Sequence, residues 1–131
     1  MIKDKVDRGV LMEGNFVNIH RVTTEKVETL VSRYSSNLDG EFGGIRISFD
    51  RLKSLLGFEE QRRRDANGQL TSGAIISLEI EKDKYYIIRV DLVDGGYSMT
   101  ILLEGNVVSS SKVVFIHQVQ SIVATLTGKD I

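Results

Sequence analysis

The sequence predicts an α+β domain in which an antiparallel, barrel-like sheet dominates and two short helices lie in the first half. Three observations carry that expectation. Apolar residues alternate with polar ones in Ile76-Leu78-Ile80, in Tyr86-Ile88-Val90-Leu92 and in Tyr97-Met99-Ile101-Leu103, and a period of two marks a half-buried strand. Lys82-Asp83-Lys84 and Asp94-Gly95-Gly96 divide these runs at a spacing of roughly ten residues, which suits hairpins rather than the long crossovers of a parallel sheet. Helical periodicity is read only before residue 65.

Taken in order, Val6 to Val22 reads as a hairpin. Val10 and Met12 alternate with Leu11 and Glu13, Gly14-Asn15 supplies a turn, and Val17 and Ile19 resume the pattern. Val27, Leu30, Val31 and Tyr34 stand at i, i+3, i+4 and i+7, an apolar stripe at helical period. Thr24 would cap that helix and Glu25 would suit its positive end, with Ser35-Ser36-Asn37 and Gly40 as its exit. Residues 39 to 44 read as a loop, and Ile45 to Phe49 as a short strand. Asp50 is placed to cap a second helix carrying Leu52, Leu55 and Leu56. Either Gly57 ends that helix or residues 58 to 64 extend it. Asp65-Ala66-Asn67-Gly68-Gln69 is a connector of turn residues. After the meander and Gly105-Asn106, Ser109-Ser110-Ser111 reads as a turn and Val113 to Val119 as a further strand. Residues 122 to 126 would continue that strand or form one more. The total is six or seven strands and two helices, and closing the sheet would hide the edges of the apolar strands.

A chain of 131 residues is the usual size of one domain, so residues 1 to 131 are expected to share a single core. The absence of cysteine removes disulfides, thiolate nucleophiles and sulfur-based zinc sites. The opening segment, Met1 to Arg8, is charged with no apolar run behind it, and no stretch reaches the ~18 apolar residues of a membrane helix. A cytoplasmic, membrane-independent protein is therefore expected. A formal net charge of −1 argues against coating DNA non-specifically, because such binding is driven by phosphate neutralisation.

Few residues suggest catalysis. His20 and His117 are the only histidines, and neither belongs to a spacing that presets a metal site. No nucleophile elbow surrounds any serine. The glycine-rich Asp39-Gly40-Glu41-Phe42-Gly43-Gly44 lacks the lysine and following helix of a phosphate loop and carries two repelling carboxylates. Glu79 and Glu81 share the wet face of one strand and read as solvated. Neither an enzyme nor a cofactor is expected.

Charge is instead segregated along the chain. Residues 45 to 64 carry six cations (Arg46, Arg51, Lys53, Arg62, Arg63, Arg64) against three carboxylates. Residues 65 to 106 carry three cations against seven carboxylates. Arginine forks match phosphate, and Phe58 and Tyr85 are candidate surfaces for stacking unpaired bases. The alternative is a charged segment that is solvated or paired with Glu59 and Glu60.

The opening Asp7-Arg8-Gly9-Val10-Leu11-Met12-Glu13-Gly14, the two early helices, the strand-rich remainder and the chain length together resemble the PrgU family. These are small proteins carried on pheromone-responsive conjugative plasmids of enterococci. The resemblance implies a PUA-like pseudo-barrel, RNA binding and post-transcriptional damping of an adhesin and conjugation operon. It supplies no residue roles. Arg51, Lys53, Phe58, Arg62, Arg63, Arg64 and Tyr85 are therefore candidate contacts on charge and expected exposure alone. The expected protein is a non-enzymatic RNA-binding regulator. A second reading is an interaction module that docks a partner chain, or its own copy, by a sheet edge or by the apolar helix stripe.

Overall fold

The computed structural model describes residues 3–22, 27–64 and 66–131. Among them the chain forms two antiparallel sheets and two α-helices, the α+β class expected from the alternating pattern. The larger sheet is a meander of β5 (Glu59–Arg64), β6 (Leu70–Glu81), β7 (Lys84–Val93), β8 (Gly96–Leu103) and β9 (Asn106–Val113), each paired with the next. Its hairpins follow from turn chemistry. Asp94 and Gly95, like Glu104 and Gly105, both have positive φ, the type I′ geometry whose twist matches that of the strands. Register then follows parity: Ala74, Ile76 and Leu78 face Val90, Ile88 and Tyr86, which face Met99, Ile101 and Leu103.

That inner face is covered by α1 (Phe49–Leu56) and α2 (Ile116–Thr127). Leu52 and Leu56 of α1 and Ile116, Val119 and Val123 of α2 join Ile88, Val90, Met99 and Ile101 in one buried cluster. The hydroxyl of Ser48, not the carboxylate of Asp50, caps α1 by accepting the Arg51 amide at 3.2 Å. Asp50 falls in the first turn, where its charge meets the positive helix end. Gly57 closes α1 in the left-handed conformation at φ 79°, as the sequence suggests.

The smaller sheet has the order β1 (Lys5–Val6), β4 (Glu41–Gly43), β2 (Phe16–Val22), β3 (Val27–Arg33), with Val17, Ile19, Tyr34 and Phe42 in its own apolar cluster. It joins the larger unit through Phe16, which packs against that unit's core, and through a set of polar contacts. Buried Gln120 of α2 accepts the Phe16 amide at 2.7 Å and donates to the carbonyls of Gly14 and Ile131 at 3.2 and 3.0 Å. Within the larger unit, Ile47 and Ile116 donate backbone bonds to Val114 and Ile45, tying the segment before α1 to the one before α2.

Several expectations are corrected. The stripe at 27 to 34 is not a helix: β3 pairs residue for residue with β2, and Leu30 and Val31 both face solvent. Its expected cap, Thr24 with Glu25, lies outside the described residues. The hairpin expected from Val6 to Val22 is displaced, because residues 8 to 10 form a 3₁₀ turn and Lys5–Val6 pairs with β4. Strand pairing falls on 41 to 43 inside the expected loop, leaving Ile45 to Phe49 with one isolated bridge between Arg46 and Phe115. Residues 59 to 64 are a strand and not a helix extension. Ser109 to Ser111 are part of β9, and most of the strand expected at 113 to 119 is the start of α2. Both helices therefore do not precede the meander. Neither sheet closes on itself among the described residues.

Candidate nucleic-acid interface

The basic residues come from two adjacent elements, since α1 lies against β5 and β6. Successive residues of a helix turn by about 100°, so burying Leu52 sends Arg51 and Lys53 to opposite flanks, both exposed. Arg51 donates to the Arg46 carbonyl at 2.9 Å, a neutral acceptor that leaves its charge uncompensated. Arg46 is committed elsewhere, in a two-point pair with Asp4 at 3.0 Å. The Arg46 guanidinium, donating to the Asp4 carboxylate, holds that carboxyl below its ordinary value.

On β5 alternation separates the arginines. Glu60, Arg62 and Arg64 stand opposite Ala74, Ser72 and Leu70 and so share the parity of the inner, helix-covered face. Arg62 and Arg64 are exposed, beyond the cover of α1. One residue beyond the Gly73–Asp91 pair, Leu92 faces Tyr97, whose ring meets Phe49 edge-on at 5.7 Å. Arg62 therefore lies on the side and at the end of the sheet where α1 begins. Arg64 donates to the Gly68 carbonyl at 2.8 Å. Among the described residues no carboxylate pairs with Arg51, Lys53, Arg62 or Arg64. Glu59 and Glu60 form no ion pair with the run either, so the carboxylates adjacent to it in sequence do not neutralise it.

Arg63 has the opposite parity. It crosses to the outer face and pairs with Asp91, bridging over Gly73. A Cβ at Gly73 would fall 2.4 Å from the Asp91 carboxylate and 3.1 Å from the Arg63 guanidinium, so the missing side chain is what admits the pair. The neutralising residue could be found in the sequence, because alternation along 84 to 93 already put Asp91 on the polar face. Its match to Arg63 required the β5–β6–β7 register.

The two aromatic candidates fail to join this surface. Phe58 is 1% exposed and lies in the core. Its amide bonds to the Leu52 carbonyl after the Gly57 reversal, tucking it beneath α1, so its ring cannot stack a base. Tyr85 is exposed but outward-facing and opposite Glu79. The step from Ser72 to Glu79 along β6 is about 23 Å at strand rise, so Tyr85 sits at the far end of the sheet and on the other face from Arg62.

The histidines are equally dispersed. His20 is on β2 beside β4. His117 is in the first turn of α2, buried, with its ring stacked on Phe115 at 5.5 Å and with no partner for Nδ1. Desolvation pushes its pKa below the ordinary histidine value. No group of three or more metal-ligating side chains converges among the described residues. No helix among them is long and apolar enough to cross a membrane.

Comparison with known proteins gives no match to a protein family, to a curated protein or to a solved structure.

Proposed function

We propose that this protein is a non-enzymatic RNA-binding regulator that holds phosphates with Arg51, Lys53, Arg62 and Arg64. The observation supporting this reading is that these four cations are exposed at α1 and β5 with no carboxylate partner among the described residues. Unpaired guanidinium and ammonium groups are suited to phosphate. Arg63 is set aside by its pair with Asp91, and Phe58 and Tyr85 by burial and position. Contact with the backbone rather than base stacking is thus the main source of affinity. The PrgU resemblance belongs to the same proposal, and with it a pseudo-barrel relationship between the two sheets, a cytoplasmic setting and control of a plasmid operon at the level of RNA.

The test is the affinity for a short mixed-sequence single-stranded RNA as a function of salt. Each phosphate neutralised contributes a log–log slope of about −0.7, so replacing any one of the four cations by Ala should flatten the slope by about that amount. Absence of binding at low salt, or undiminished binding after all four are replaced, refutes the reading.

A second reading, a module that docks a partner chain, is favoured by one observation. β9 is an edge strand on which Val107 and Val108 are both exposed, the pattern used when a partner adds a strand.

A further inference from the structure

The order of charges on β5 has a consequence beyond phosphate binding. Among the described residues β5 is the other edge of the larger sheet and pairs only with β6, and Glu59 to Gln61, like Arg62 and Arg64, are exposed while Arg63 is half-buried. Charged edge strands ordinarily keep a second copy away, because like charges meet. Here the order is Glu59-Glu60-Gln61-Arg62-Arg63, in which the charges on the two sides of Gln61 are opposite. Read against itself in the antiparallel direction, this segment is complementary at every charged position.

We propose that β5 is a self-pairing edge, and that two copies of this chain join through it in an antiparallel strand pair centred on Gln61. Symmetry permits this register. A two-fold axis normal to a continuous sheet brings a residue opposite its own equivalent and pairs positions equidistant from it. Glu60 then faces Arg62 of the second copy, and Glu59 faces Arg63 of the second copy, each contact occurring twice. Parity agrees as well, since Glu60 and Arg62 share the inner face while Glu59 and Arg63 share the outer one. Directly opposed charges of opposite sign stabilise an antiparallel pair.

Two features of the single chain favour this use of the edge. Glu59, Glu60 and Arg62 have no ion-pair partner within the described residues, although six charged or polar residues stand in succession from Glu59 to Arg64. Arg63 holds Asp91 through one terminal nitrogen, while its Nε is buried without an acceptor. A guanidinium has five donors, so Glu59 of the second copy can be accommodated beside Asp91. The axis also keeps both copies of α1 on one side of the joined sheet. Arg62 is then balanced by Glu60 of the second copy, and in the paired form phosphate contact is left to Arg51, Lys53 and Arg64, which keep no carboxylate partner among the described residues. The proposal does not depend on RNA binding.

A short strand pair is a small interface and its ion pairs are screened by salt, so the expected dimer is weak and salt-sensitive. The test is sedimentation of the full chain over a concentration series at low and high salt. Wild type should approach twice the single-chain mass at high concentration. Glu60→Arg and Arg62→Glu should each raise the dimer dissociation constant roughly tenfold or more, because each substitution sets like charges opposite one another twice. Mixed in equal amounts, these two variants should form a heterodimer, since every opposed pair is again of opposite sign. Circular dichroism of each variant separates loss of pairing from loss of folding. A wild-type chain that stays monomeric throughout, a dimer indifferent to both substitutions, or a mixture that fails to recover association overturns the proposal. RNA affinity of a Glu60→Gln variant, which retains all four cations and adds none, reads the phosphate site separately.

Discussion

His117 illustrates how one residue's surroundings set a property of the whole chain. Its ring is buried against Phe115 at the start of α2, beside a cavity of about 320 Å³ that Lys112 also lines. Burial disfavours the imidazolium, so the folded pKa lies below the ordinary value, while the unfolded chain titrates near 6.5. Above that pH both states are neutral and nothing is lost. As pH falls through it, the unfolded chain takes up a proton that the folded chain does not, and stability declines until the depressed folded pKa is reached. We expect unfolding free energy to fall with a slope of up to about 1.4 kcal/mol per pH unit in that window. His117→Phe, which keeps a ring against Phe115, should flatten that part of the profile. Urea titrations at several pH values check this, and an unchanged profile in the variant excludes His117 as its source.

At the scale of elements, periodicity and propensity disagree in two places, and the fold resolves them in opposite directions. Residues 27 to 34 have a helical apolar stripe yet form β3, where β-branched Val27, Thr29 and Val31 suit an extended chain and β2 offers a full ladder. Residues 116 to 127 are equally rich in β-branched residues yet form α2. There Ile116, Val119, Gln120 and Val123 fall on one buried face. Gln118 accepts the amides of Val114 and Phe115 at 2.8 and 3.1 Å, and Gly128 ends the helix at φ 70°. Those flanking signals are present in the sequence and outweigh the local propensity. In α1 the cap is the side chain that matters, and Ser48→Ala should cost about 1 kcal/mol in a denaturant titration. Asp50→Asn should cost less, because Asp50 supplies only a screened charge to the helix end.

For the whole molecule the decisive contact is the one between the sheets. Each has its own apolar cluster, and Gln120 reaches from α2 to the backbone on both sides of the β2 entrance. Gln120→Leu would keep most of the volume while removing the acceptor of the Phe16 amide and the donor to the Ile131 carbonyl; the Gly14 carbonyl would keep Arg33. A cost of about 1–3 kcal/mol is expected. Hydrogen exchange should show amides of β2 and β3 opening more readily while those of β7 and β8 stay protected. Equal loosening of both sheets would mean that the seam is not where their coupling lies.

The sequence by itself determined the three central strands of the meander, β6 to β8, because alternation over 76 to 103 and turn residues that accept positive φ are local properties. It also determined α1, with Gly57 as one of two possible ends, and the concentration of positive charge between residues 45 and 64. Only the tertiary structure decided which of those charges remain free. Whether Arg63 meets Asp91 depends on register across three strands and on a glycine between them, and whether Phe58 is available depends on a helix folding over it. The same holds for Glu59 to Arg63. Their order is plain in the sequence, but it becomes a self-complementary edge only because the chain places them in a strand with nothing paired beyond it among the described residues.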